Sequence, residues 1–224
     1  PYSAPANSSG AAITGSISVI PTLNGCVGNT STFTISIDPT PTVNPITNIT
    51  ACPETTADPI DFSSNPVGAT FSWTNSNASI GLALSGSGQI TPFTLSSNNT
   101  ATNITSTIST QATLNGCTGP AQTFTISISP TPVITLSSTD PSVCNGTDGS
   151  ISVNTGAPGT VSWSGTASGN SGAMNISYLI NNLSAGTYDV FFINSATGCQ
   201  SVTSSTTLLN PGAPIIDPIA DFTS

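Results

Sequence analysis

Apolar residues in this chain come mostly singly, alternating with Ser and Thr. Phe33, Ile35 and Ile37 alternate with Thr34, Ser36 and Asp38, a period of two that predicts a strand with one buried face. The same TFTISI run returns at 123–128. Ahead of each copy stands TLNGC, at 22–26 and 113–117. Its Asn-Gly pair favours the positive φ of a tight hairpin turn. PTP closes each copy, at 39–41 and 130–132. Aligned without gaps, residues 1–41 and 92–132 agree at 21 of 41 positions. A repeat at this spacing predicts an array of related modules. Residues 1–41 then read as the C-terminal part of a module whose first half is not in the sequence. Either the array continues on both sides, or neighbouring subunits complete each other.

Residues 42–131 read as one complete module of this type. It opens with a short extended connection in which Pro45 argues against a central strand. Strands are predicted at 60–63, 69–75, 80–84, 89–95, 103–112 and 123–129. Trp73 follows Phe71 at strand spacing, so both are expected to face the core. Residues 132–212 carry a different pattern. PVITLSS leads in, a strand is expected at 150–153, VSWS (161–164) carries Trp163, Val190 and Phe192 in LSAGTYDVFFI (183–193) alternate with Asp189 and Phe191, and a last strand is expected at about 201–208. Leu183, Ala185-Gly186 and Tyr188 have the layout of a tyrosine corner, in which a Tyr hydroxyl ties a crossover to nearby backbone. Residues 213–224 read as a linker and the start of a further module, because PIIDPIADFTS aligns with PTVNPITNITA at 41–51. Turn residues at roughly 8–12 residue intervals predict sandwiches. The expected fold is all-β: tandem immunoglobulin-like β-sandwich modules in an elongated array, without significant helix.

Composition narrows the function. The chain has no Lys, Arg or His and nine acids. No side chain can pair with a phosphate backbone, which argues against nucleic-acid partners. Ser-His-Asp and Cys-His catalysis and typical zinc sites need residues this chain lacks. No apolar run approaches the ~18 residues of a membrane helix, so no membrane insertion is expected. Asn-x-Ser/Thr sequons at Asn48, Asn77, Asn103, Asn175 and Asn182 are candidate glycosylation sites.

Five cysteines are present, none as CxxC. Cys52 and Cys117 bracket the complete module, and Cys144 and Cys199 bracket the third. Each pair has one Cys at the module start and one in the turn before its last strand. Pairing within modules is therefore expected, with ~4 kcal/mol of stabilisation each in the chain-entropy model. Cys26 matches Cys117 and would be unpaired within this sequence. The alternative is five reduced, buried thiols.

CPETT (52–56), FSWTNSNASIGLALSGSG (71–88) and NGCTGPAQTFTISISPTP (115–132) resemble the PKD-like repeats of very large bacterial surface proteins. GSISV, VSWSG, LSAGTYDV and TGC, between 149 and 199, resemble the SprB repeat of gliding-motility adhesins. The resemblance implies tandem immunoglobulin-like sandwiches, secretion by the type IX system of gliding bacteria, and display at the cell surface as filaments or adhesive strands. It carries no catalytic residues and no cofactor.

The acids are the candidates for chemistry. Asp58 with Asp61, and Asp140 with Asp148, lie close enough in sequence for glycoside hydrolysis or a structural Ca²⁺, but each precedes or adjoins turn residues and reads first as solvated. Trp73 and Trp163 read as core rather than sugar-stacking residues. Tyr2, Tyr178 and Phe191 are the more exposed aromatics. The expected role is a non-enzymatic structural segment of an extracellular filament or adhesin stalk at the bacterial surface, its partners being neighbouring repeats of the same or an identical chain. The alternative is an adhesive module that binds surface polysaccharide.

Overall fold

The computed structural model describes residues 4–212. The tail at 213–224 and Tyr2, both singled out from sequence, lie outside the described residues. The chain divides into two compact units. One comprises residues up to Ser96 with Asn103–Ile128; the other comprises Ser97–Thr102 with residues from Ser129 on.

In the first unit, Ile104–Leu114 is the spine of the main sheet. It pairs antiparallel with Thr70–Asn75 on one side and with Gln122–Ile128 on the other. Ser85–Ser87 extends the sheet beyond Thr70–Asn75. Ile49–Ala51 closes the opposite edge, parallel to Gln122–Ile128. The facing layer is made of short pieces: Thr56–Ala57 with Phe93–Thr94, and an Ile60↔Ile90 bridge. Strand alternation turns Ile108, Phe124, Ile126 and Ile128 inward, where they meet Ile60, Phe62, Trp73, Ile80 and Ile90 in one core. Phe62 packs against Phe71 and Phe124 at ring separations of 5.6 and 6.4 Å.

Three of the predicted strands are not formed as expected. The 80–84 strand is instead a 3₁₀ turn at Ala78–Ile80. Asn77 caps it by accepting from the Ser79 N–H, and Gly81, at φ 92°, ends it. Asn and Gly at those positions satisfy a helical turn better than a ladder. The segment still delivers Ile80 to the core, fully buried. The predicted strands at 60–63 and 89–95 reduce to the Ile60↔Ile90 bridge and short flanking pairs, and Gln89 ties this layer by donating to the Phe62 carbonyl at 3.1 Å.

In the same unit, Ile13–Val19 and Ser31–Ile37 form a two-stranded antiparallel sheet. Its register, Ile13↔Ile37 and Ile17↔Phe33, is that of Ile104↔Ile128 and Ile108↔Phe124. Both copies of TLNGC make the expected turn, with φ 48° and 84° at Asn24-Gly25 and φ 50° and 81° at Asn115-Gly116.

The second unit is a two-sheet sandwich. One sheet runs Thr135–Thr139, Gly149–Asn154, Ser177–Leu183; the other runs Gly169–Asn170, Gly159–Gly165, Gly186–Asn194, Ser204–Leu208. Ile151, Val153 and Ile180 from the first face Val161, Val190 and Phe192 from the second. The chain is thus an all-β protein of immunoglobulin-like β-sandwich type, and its one helical element among the described residues is the 3₁₀ turn.

Candidate functional site

Tyr188 is fully buried, and its hydroxyl donates to the Ser184 carbonyl at 2.9 Å. Thr166 Oγ1 donates to the Tyr188 oxygen in turn. The ring thereby fixes the crossover from Ser177–Leu183 to Gly186–Asn194, the geometry of a tyrosine corner.

Trp73 lies in the first core and Trp163 packs half-buried against the second. Each indole crosses a glycine on the neighbouring strand: Gly86 opposite Trp73, and Gly169 opposite Trp163. A Cβ there would stand 2.2 Å from Trp73 Cζ2 or 2.6 Å from Trp163 Cζ2. Tyr178, expected as an exposed aromatic, instead stacks on Trp163 with centroids 5.9 Å apart. Phe191 is half-buried.

The cysteine pairing must be corrected. Cys52 and Cys199 are disulfide-bonded, whereas Cys26, Cys117 and Cys144 carry free thiols. Neither within-module pair forms, and strand register gives the reason. Cys117 sits opposite Leu114, at one end of the Ile104–Leu114 strand. Cys52 follows Ala51, which is level with Ile128 and Ile104 at the other end. At about 3.3 Å per residue the two ends lie roughly 30 Å apart, far beyond the ~7 Å that a disulfide spans between Cα atoms. The same holds for the other pair. The Cys144 thiol reaches the Pro211 carbonyl at 3.1 Å, beside the end of Ser204–Leu208 that pairs with Gly186. The Cys199 carbonyl accepts from the Asn194 N–H, at the far end of Gly186–Asn194.

The acids serve local turns. Asp148 accepts from the Ser142 N–H at 3.0 Å, and Asp140 accepts from the Leu209 N–H at 2.8 Å. The hydroxyl and then the amide of Ser142 hold the Asp148 carboxyl below the ordinary aspartate range. Asp58 and Asp61 are exposed. Among the described residues no three His, Cys, Asp or Glu side chains gather as a metal site.

Two features were not read from the sequence. The first is a pair of buried asparagines at equivalent positions, Asn7 and Asn98. Asn7 Nδ2 donates to the Ala11 and Ile37 carbonyls at 2.7 and 2.8 Å, and Asn98 Nδ2 donates to Thr102 at 2.9 Å. Each Oδ1 accepts the N–H and hydroxyl two residues on, from Ser9 or Thr100. Asn followed two places later by Ser or Thr was the available signal, since such side chains close local turns on their own backbone.

The second is the surface state of the repeated sheet. Ile108, Phe124, Ile126 and Ile128 are at most 2% exposed, but Phe33 is 50% exposed and Ile17 41%. The buried face expected for 31–37 is therefore exposed among the described residues. A cavity of about 230 Å³ is lined by Ile13–Ile17, Ile35 and Ile37.

No family model matches the chain, and no curated protein matches it. Among solved structures, the chain is similar to the FN1–FN3 domains of chicken CNTN1, at 15% identity over 85% of this chain and 76% of that one, with a TM-score of 0.31. It is also similar to Dpr2 Ig1–Ig2 in complex with DIP-Theta Ig1–Ig3, at 8% identity over 79% and 68%, with a TM-score of 0.29. The fold class rests on the chain's own sheets and tyrosine corner. No helix of the described residues is long and apolar enough to cross a membrane. Disulfide-bonded cysteines in sandwich modules fit an extracellular or secreted protein.

Proposed function

We propose that the chain is a structural segment of an extracellular filament or adhesin stalk, built from PKD-like and SprB-like sandwich repeats and carried at a bacterial surface. One observation carries this reading: a 41-residue unit occurs twice and folds twice to the same hairpin, with the same register and the same asparagine turn. A chain that repeats its scaffold spends sequence on length. Its side chains are committed to the same end. The aromatic residues brace cores, Tyr188 locks a crossover, and Asp140 and Asp148 close turns. Backbone ladders running the length of each module suit a load-bearing role, because extension must break many hydrogen bonds together. The chain's partners in this reading are further repeats of its own type.

Immunogold labelling of intact cells of the source bacterium, with antibody raised to this chain, tests the proposal. Label along surface fibres is expected. No label on intact cells, with label inside sectioned cells, would contradict it. Binding of the chain to a polysaccharide array, lost on changing Phe191, would move the role from scaffold to glycan recognition.

A further inference from the structure

The second unit has one long sheet edge that no strand among the described residues covers. Ser177–Leu183 pairs with Gly149–Asn154 on one side and with no strand on the other. In line with that ladder, the Thr155 N–H donates to the Ile176 carbonyl at 2.9 Å. Opposed antiparallel residues alternate between pairs that exchange hydrogen bonds and pairs that do not. Thr155 and Ile176 are of the bonded kind, so Tyr178 and Ile180 also turn their backbone groups toward Gly149–Asn154. Ser177, Leu179 and Asn181 turn theirs toward the free side. Edges are ordinarily blunted by shortness, charge, proline or a bulge. SYLINNL has no charge and no proline. Its one irregularity, a register shift with Asn182 at φ 58°, lies beyond Asn181. By contrast Gly169–Asn170, an edge of the other sheet, is two residues long.

We propose that Ser177–Asn181 is a docking edge for a second copy of this chain, the two copies pairing antiparallel through the same strand about a two-fold axis at Leu179. The contact joins chains side by side, rather than the successive repeats of one chain. Leu179 exchanges two backbone hydrogen bonds with the partner's Leu179, and Ser177 does so with the partner's Asn181. A two-fold contact requires a self-complementary surface of this kind. The side chains agree with this register. Leu179 is 50% exposed on the outer face of the sheet and meets its own twin, apolar against apolar. On the inner face the half-buried Tyr178, stacked on Trp163, stands beside the partner's Ile180. Moving the axis by one residue, to Tyr178 or Ile180, sets Leu179 against Ser177 or Asn181 instead.

Charge selects a second copy as the occupant. The chain has nine acids and no Lys, Arg or His, so two copies repel wherever carboxylates meet. Ser177–Leu183 presents none. Among the described residues of the second unit the acids are Asp189, on a strand of the other sheet, and Asp140 and Asp148, in the turn before Gly149. The neutral edge is therefore a place where two such chains approach without that penalty. The contact is small, and it gains strength by repetition: along a filament of the kind proposed above, many such edges act together. That multiplication rests on the proposed role, whereas the pairing itself does not.

Leu179→Pro tests the pairing, because it removes an N–H on the free side and spares the ladder to Gly149–Asn154. Analytical ultracentrifugation of residues 1–224 is expected to show a concentration-dependent dimer, strengthened by salt as the acids are screened. Leu179→Pro should raise its Kd by about 100-fold, since the two-fold axis removes two bonds at once. Crosslinking under mild oxidation reads the register and does not depend on the folding of Leu179→Pro. It uses a background with Cys26, Cys117 and Cys144 changed to Ser. Leu179→Cys should join two copies through the introduced thiols. Ser177→Cys should not, because its two thiols stand roughly 14 Å apart along the paired strands, beyond the reach of a disulfide. A chain that stays monomeric at every concentration and salt, or equal crosslinking of the two Cys variants, overturns the proposal.

Discussion

Trp73 lies flat across Gly86, its register partner on the neighbouring strand, so closely that a Cβ on Gly86 would stand 2.2 Å from the ring. Trp163 and Gly169 repeat the contact in the second unit. Two modules of different sequence thus seat a large ring by leaving the adjacent strand without a side chain. Gly86→Ala is expected to force the indole off its place and lower the stability of its unit by ~1–3 kcal/mol. Gly15→Ala, where a Cβ has open space, is the matched control and should change little. Denaturant titration followed by Trp fluorescence measures both.

Tyr188→Phe keeps the buried ring and removes the hydroxyl that reaches Ser184 and Thr166. The Ser184 carbonyl loses its tie, and the expected cost is about 1 kcal/mol. The loss should appear in thermal or denaturant unfolding of the second unit. Unchanged stability would mean that the ring alone braces the crossover.

The thiols differ in accessibility to chemistry. Without reductant, alkylation should label Cys26, Cys117 and Cys144 and leave Cys52 and Cys199 unlabelled. Peptide mass spectrometry reads this directly. A Cys52–Cys117 or Cys144–Cys199 crosslinked peptide would contradict the strand register, since each pair stands at opposite ends of a strand.

Asp148 carries the acid response of its turn. Its folded pKa is lowered, chiefly by the Ser142 hydroxyl and then by the Ser142 amide. A lowered carboxyl pKa contributes stability that is present above the unfolded value, about 3.9, and is lost as pH falls through the lower folded value. The NMR titration midpoint of Asp148 should therefore lie below that of an aspartate in a peptide. Ser142→Ala should raise it toward the peptide value.

The alternation of Phe33, Ile35 and Ile37 identified a strand and the face it would bury. It could not say whether that face is covered, because covering depends on another segment lying across the sheet. The identical pattern at Phe124, Ile126 and Ile128 is buried for that reason alone. Tyr188 was readable because a tyrosine corner is local: donor and acceptor lie four residues apart. The cysteine pairing was misread because order within a module does not say at which end of a strand a residue falls; Leu114↔Cys117 and Ile128↔Ala51 do. Ile80 reads as part of a strand by hydropathy, and only the cap at Asn77 and the positive φ of Gly81 make it a 3₁₀ turn. The Trp73–Gly86 contact needs the pairing of Ser85–Ser87 with Thr70–Asn75, which no short window contains.

The central claim is that one repeated unit folds twice to the same hairpin, at 13–37 and at 104–128, and that within residues 1–224 the second is buried in a core while the first is exposed. Residue-resolved amide hydrogen exchange on residues 1–224 tests it most directly. Slow exchange at Ile108, Phe124 and Ile126 is expected, with exchange at Ile17, Phe33 and Ile35 faster by orders of magnitude. Equal protection at the two sets of positions would contradict the account.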